Sequence, residues 1–547
     1  MTRLREVVQE MIGEKLLAES LDGTECRGRS PVPLSANPDT DVLADWTTRR
    51  SDILTNYFPL SPMDQILHMK RFLKFSFLSF LFLRLFVSWL FAEDKKDERP
   101  NIFFAIADDW GWPHSSSYGD AVVKTPTFDR IAASGALFTN AYISSPSCTP
   151  SRNAILTGQH HWRLKSGGNL WSNYPEGFPS YVQALKDAGY FVGSYRKAFG
   201  PGSDGGKEVA GKAYPSLDAF LKERPKDQPF CFWFGTSDPH RSYQWESGLR
   251  SGMKLGDVEV PPFFPDSEII RTDILDYYFE VERFDRQVGE ALALLEVNGE
   301  SENTLVVMTG DHGWPFPRGK SNLYDYGTRV PLAIKWLGRI PQDRLVTDFV
   351  STTDLAPTFL EAAGVDILPN TTGRSLLSIL ESDANGRISS DREYVLTGKE
   401  RHTLAQNDNP GGTPMRAIRT DDFLYIHNFK PERWPAGHPE GSYHGKTYMD
   451  IDAGPTKSYI VDRKDDLGMQ IYWQLSCGLR PADELYDLRI DPFQISNVAD
   501  RVEYADTLKK LKEKLFSELK RYKDPRLIGG AEAFDEYEYL GRLVRQP

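Results

Sequence analysis

Cysteine is scarce in this chain. Only Cys26, Cys148, Cys231 and Cys477 occur in 547 residues, and no two form a CxxC pair. That spacing argues against a disulfide framework and against a thiolate metal site, and nothing in it requires a Cys231–Cys477 bridge. Net positive charge is also missing. The formal charge is −12, whereas a general nucleic-acid binder should be basic, so that class loses ground and no nucleic-acid partner is expected. An anionic small substrate is still compatible, provided basic residues gather locally around it. The chain is too long for one small domain and predicts about two, around a large core. No internal repeat is visible. Aromatics are plentiful, at 12%, and some stand among charges, as in Asn428-Phe429-Lys430-Pro431-Glu432-Arg433-Trp434-Pro435. Such a segment suits either a sugar face or a domain seam.

One long apolar run stands out. Met69-Lys70-Arg71-Phe72-Leu73-Lys74 opens a Phe/Leu-rich stretch that ends at Ala92, ahead of Glu93-Asp94-Lys95-Lys96. A basic start, an apolar middle and a small residue before charges describe a secretory signal over 69–92. Arg84 inside the run disfavours a membrane anchor, and any membrane contact is expected only through this segment. Export to the periplasm or the cell exterior is the expectation. Residues 1–68 are polar and charged, and translation is expected to start at Met69.

Beyond residue 98 the pattern becomes that of an α/β fold. Short apolar runs at 101–107, 190–192, 230–234 and 304–309 read as strands buried on both faces of a parallel sheet. Amphipathic stretches at 127–134, 180–188, 274–297 and 354–363 read as the intervening helices. After about residue 385 the strands shorten and are joined by turns, and 508–522 is an amphipathic helix. The expected division is a catalytic domain over 98–385 and a smaller α+β domain over 386–547.

Two of the strands end alike. The first runs into Asp108-Asp109 and the other into Gly310-Asp311-His312-Gly313. Ligands bind beyond the carboxyl ends of strands in such sheets, and acidic groups gathered there repel unless a cation lies between them. Three carboxylates suit calcium or magnesium. His312 is a softer ligand and keeps manganese or zinc open. Between these strands comes Cys148-Thr149-Pro150-Ser151-Arg152. Thr149 and Pro150 predict the N-cap and first position of a helix that stops at Gly158. Cys148 would then sit at the positive end of that helix, where anions bind, with Arg152 one turn along.

This pentapeptide resembles the Cys-x-Pro-x-Arg signature of the type I sulfatases, in which the cysteine is oxidised to formylglycine. The resemblance spans roughly residues 98–500. Asp108-Asp109 and Asp311-His312 resemble the family's metal ligands, which would include the modified Cys148. Pro239-His240, Gly319-Lys320, Tyr324–Pro331, Glu484–Leu488, Asp491-Pro492 and Asn497 resemble its later segments. The resemblance implies an alkaline phosphatase-like fold: a mostly parallel sheet flanked by helices, with a smaller C-terminal α+β domain. It also implies sulfate-ester or N-sulfate hydrolysis on a sulfated glycan, and a divalent metal, calcium first and magnesium or manganese next. A formylglycine-generating or anaerobic sulfatase-maturing enzyme is the implied partner. In this mechanism one hydroxyl of the hydrated aldehyde attacks sulfur and the other later expels sulfate. Arg152, Lys197 and Lys320 would hold sulfate oxygens, and His240 would orient sulfate or protonate the leaving oxygen.

One departure is plain. Lys197-Ala198-Phe199-Gly200-Pro201-Gly202 puts Phe199 where the family has a histidine that helps to release sulfate. The segment is similar to a bacterial heparan N-sulfatase-like subgroup. His160 and His161 are candidate replacement bases. The polar run Gly398-Lys399-Glu400-Arg401-His402 is a candidate for contacts with an acidic sugar. Two other functions compete: a phosphodiesterase or phosphonate monoester hydrolase of the same superfamily, and a catalytically weak sulfated-glycan binding protein.

Overall fold

The computed structural model describes residues 99–541 except 408, 443 and 444. The signal segment at 69–92 and the stretch before it lie outside these residues. Among the described residues, no helix is long and apolar enough to cross a membrane.

An eight-stranded sheet organises the larger part. Its order is Arg344–Val346, Ala136–Phe138, Leu332–Lys335, Thr304–Gly310, Asn101–Ala107, Phe230–Gly235, Phe191–Tyr195 and Lys212–Tyr214. Every pairing is parallel except the two made by Leu332–Lys335. The central strands are apolar throughout because both faces are covered. Ile102, Phe104, Ile106, Leu305 and Val307 pack to one side with Phe359. Phe103, Ala105, Val306 and Met308 pack to the other against Val281, Phe284 and Val288 of the Glu268–Val297 helix. Strand alternation thus assigns successive residues to opposite cores. That 30-residue helix starts earlier than its periodicity predicts, because Ser267 caps it by accepting from Ile270 N.

The second sheet is wholly antiparallel, in the order Tyr394–Lys399, Met415–Thr420, Phe423–Asn428, Asp483–Asp487. The Ala505–Arg521 helix covers one face with Leu511, Leu515 and Leu519. The aromatics of the 428–435 segment pack within this C-terminal part. Phe429 meets His427, and Trp434 meets Trp473.

Candidate active site at the carboxyl edge of the sheet

The parallel register brings four strand ends to one edge: Ala107, Tyr195, Gly235 and Gly310. The residues just beyond them are Asp108-Asp109, Arg196-Lys197, Asp238-Pro239-His240 and Asp311-His312. The sheet therefore assembles groups scattered over two hundred positions. Gly235 is required at this edge, since a Cβ there would overlap the Lys197 carbonyl.

The cysteine helix runs Cys148–Thr157 and is fully buried, ending at Gly158 in the left-handed conformation with φ 65°. It begins two residues before the predicted start. Ser147, not Thr149, is the N-cap, and Ser147 makes no side-chain cap bond. Its hydroxyl instead pairs with His402 Nδ1 at 2.8 Å, while the Thr149 hydroxyl donates to the Pro201 carbonyl. Cys148 thus occupies the first turn, at the positive end of the helix. Burial pushes its thiol well above the ordinary range.

Cys148 Sγ lies 3.3 Å from His312 Nε2. The same nitrogen is 3.0 Å from Asp109 Oδ1 and 3.6 Å from Asp311 Oδ1. His312 Nδ1 stands 3.0 Å from the Gly313 carbonyl, which can only accept. The ring proton therefore belongs on Nδ1, and the Nε2 lone pair faces the carboxylates. Asp109 Oδ1 is buried without a hydrogen bond, and Asp109 is held at φ 74°, a conformation uncommon for a residue with a side chain. An unbonded carboxylate oxygen and an imidazole lone pair turned towards each other fit a cation. Asp108, Asp109, Cys148 and His312 place one donor atom each within 4.8 Å of one another. Asp311 turns one oxygen towards this group and accepts from Asp109 N through it, at 2.9 Å.

Cations ring the cluster. Lys197 Nζ binds both oxygens of Asp108. Burial opposes ionisation of Asp108, but Lys197, His240 and Arg152 outweigh it and hold the carboxyl well below its usual range. Lys320 Nζ donates to Asp109 Oδ2 and to Asp452 Oδ2, each at 2.9 Å. Burial works against its charge, yet these two carboxylates raise its pKa well above the ordinary lysine value. His240 Nε2 is 4.0 Å from Asp109 Oδ2.

Arg152 departs from its expected role. It is fully buried and does not line the cleft. Its Nε binds Asp311 Oδ2 at 2.8 Å, and one terminal nitrogen reaches the carbonyls of Lys197 and Ala198. It therefore positions carboxylates and the lysine segment rather than gripping a substrate. His160 and His161 also stand apart from the cleft. His160 stacks on Trp162 and His161 pairs with Ser144 Oγ at 2.9 Å. Phe199 does line the cleft, and its ring meets Tyr174 edge-on. Of the Gly398–His402 run, only His402 reaches the cleft. Lys399 is bound by Asp450, and Glu400 by Arg416 and Arg526.

The cleft above Cys148 measures about 700 Å³, and Asp108, Lys197, His240, Lys320 and Asp452 line it together with Leu170, Trp171, Pro201, Arg283 and Thr403. Asp452 went unnoticed in the sequence. It stands in no motif, and only folding brings it beside Lys320.

A parallel sheet with a metal-suited acidic cluster, a helix-mouth nucleophile and paired lysines defines a hydrolase for an anionic ester. The chain belongs to the sulfatase family. The family model described as Sulfatase matches residues 100–206 and 195–365, and the N-sulphoglucosamine sulphohydrolase C-terminal model matches 310–436. An ulvan-active sulfatase of Formosa agariphila is 26% identical over 78% of this chain and 75% of its own length. The N-sulphoglucosamine sulphohydrolase of Homo sapiens is 27% identical over 76% and 89%. The fold is shared with a protein solved in complex with its substrate D-glucosamine-2-N,6-O-disulfate, at a TM-score of 0.56 and 21% identity, covering 78% of this chain and 98% of that one. It is shared equally with the phosphonate monoester hydrolase of Agrobacterium radiobacter, at 0.59 and 18%, covering 79% and 97%. The protein is a sulfuric ester hydrolase.

Proposed function

We propose that this sulfatase is exported and removes sulfate, as ester or N-sulfate, from a sulfated glycan. It would use a formylglycine made from Cys148 by a maturing enzyme. A divalent cation, calcium first, would be held by Asp108, Asp109, Asp311, His312 and the modified residue 148. The observation that carries this reading is the contact of Cys148 with His312 at the mouth of a helix, inside a ring of carboxylates and two lysines. The glycan assignment is supported by the relatives named for ulvan and for N-sulphoglucosamine. Export is supported by the basic and apolar run at 69–92.

The chain's own groups divide the work. Lys197 and Lys320 present ammonium charge to an anionic substrate, each already fixed by a carboxylate and so preorganised. The first-turn N–H groups of the Cys148–Thr157 helix add positive potential behind the reacting centre. Arg152 holds Asp311 in place. His240, with Nδ1 2.5 Å from the Arg241 carbonyl, keeps Nε2 towards the cleft, where its imidazolium form can hand a proton to the leaving oxygen or nitrogen. Bound there, a divalent cation supplies Lewis acidity and lowers the pKa of the nucleophile. Formylglycine at 148, hydrated to a diol, would supply the attacking hydroxyl, and loss of sulfate would return the aldehyde to be hydrated again.

Three measurements test this. Mass spectrometry of the peptide carrying Cys148, from protein made with a maturing enzyme, should find aldehyde in place of thiol. Cys148→Ala should release sulfate at least about 10³-fold more slowly, and full activity in that variant would sink the reading. Assays on paired aryl sulfate and aryl phosphodiester substrates should favour the sulfate.

A further inference from the structure

Asp452 is the one residue of the cleft that no motif and no matched family segment includes, since the two family models end at residues 365 and 436. Its segment is tied down on both sides. Asp450 accepts from Lys399 Nζ and from Thr403 N, each at 2.9 Å. Thr456 donates through N and Oγ1 to Asp273 at 3.1 and 2.6 Å. Asp273 is itself gripped by Arg241 through two bonds. Gly454 lies against that Arg241 guanidinium, where a Cβ could not fit without displacing it. Between these anchors the Asp452 carboxylate reaches the cleft, with 24% of its side chain exposed.

Three carboxylates line the cleft: Asp108, Asp238 and Asp452. Asp108 gives both oxygens to Lys197. Asp238 gives both to Arg283 and Gln287. Among the described residues, Asp452 accepts only from Lys320, through Oδ2. Asp109, His240 and Asp452 lie close enough to suggest a second metal, but the Lys320 ammonium already bridges Asp109 and Asp452 at 2.9 Å to each. An acceptor with spare capacity, held rigidly beside the lysine, is a recognition element for a donor.

We infer that Asp452 is a specificity-determining residue that accepts a hydrogen bond from a hydroxyl or N–H of the leaving sugar, next to the sulfated position. The inference rests on the reading of the cleft as a sugar-sulfate site. It follows that the cleft selects leaving groups bearing a donor there and disfavours a second anion at that position, which would meet the carboxylate head-on. Lys320, shared between two carboxylates, keeps its third N–H for sulfate.

The test compares the wild type, Asp452→Ala and Asp452→Asn on three kinds of substrate. These are hexose and hexosamine monosulfates with a free neighbouring hydroxyl, the same sugars with that hydroxyl O-methylated, and para-nitrophenyl sulfate. The wild type should favour the free-hydroxyl sugar over its methylated form by about tenfold or more in kcat/KM, as expected for a hydrogen bond to a charged group. Asp452→Ala should erase that ratio, and Asp452→Asn, which keeps a carbonyl acceptor, should retain part of it. A ratio that survives in Asp452→Ala overturns the inference. So does an equal fall on all three substrates, which would mean that Asp452 only holds Lys320. Cleavage of para-nitrophenyl sulfate with no preference for any free-hydroxyl sugar overturns the inference alone. Release of sulfate from nothing by aldehyde-bearing wild type overturns the sulfate-ester reading and this inference with it.

Discussion

His160 and His402 show how single side chains tie this protein to pH. Burial, helped by Arg163 and Arg416, pushes His160 down to about 3. Burial, helped by Lys320 and Lys399, pushes His402 down to about 3 as well. The unfolded chain should take up these protons near the ordinary histidine value of about 6.5. The native state then binds fewer protons between about 6.5 and 3, so these two residues contribute stability above that window and lose it as the pH falls. The melting temperature should therefore drop between pH 7.5 and pH 5. His160→Gln, outside the cleft, should make that drop shallower even though the lost stacking on Trp162 lowers stability at neutral pH. An unchanged slope would remove His160 from the account.

Among the elements, the C-terminal antiparallel sheet and the cleft-facing loop share a buried ion-pair network centred on Arg416. Arg416, on Met415–Thr420, binds Asp524 beyond the end of the Ala505–Arg521 helix and Glu400 in the run that leads to His402, and lies over the Trp162 ring. All three charged groups are buried. Removing one partner from such a network leaves an uncompensated charge, which costs about 3–5 kcal/mol. Asp524→Ala should lower the urea midpoint accordingly at unchanged slope. A loss under about 1 kcal/mol, on the scale of an exposed pair, would show that the network is solvated.

For the whole molecule, the carboxyl edge of the large sheet concentrates negative charge, which Lys197, Lys320, Arg152, His240 and Arg283 offset. A cation that binds the native cluster and not the unfolded chain should stabilise the fold by mass action. Chelation should abolish sulfate release and lower the melting temperature. Calcium should restore both, and the restored temperature should rise with its concentration. Recovery with magnesium or manganese but not calcium would revise the identity of the ion.

Much was legible in the chain because it is written locally. The apolar runs at 101–107 and 304–309 announce strands covered on both faces, and Asp108-Asp109 and Asp311-His312 stand at their ends. Cys148, Pro150 and Arg152 carry their chemistry in five consecutive residues. What the sequence misjudged depends on neighbours distant along it. Ser147 rather than Thr149 begins the helix, because Thr149 finds the Pro201 carbonyl and Ser147 finds His402. Arg152 turns from the substrate to Asp311 because burial leaves it no path to the cleft. His160 and His161 were rejected as bases by the aromatic and hydroxyl partners they acquire on folding. Asp452 could not be read at all. A lone aspartate has no periodicity or spacing to distinguish it, and its meaning comes from the 2.9 Å contact with Lys320, 132 positions away. Short-range patterning in the chain is enough for the sheet, the helix mouth and the acidic strand ends. Which charges face the cleft and which are consumed by one another is set on folding, because ion pairs form through space.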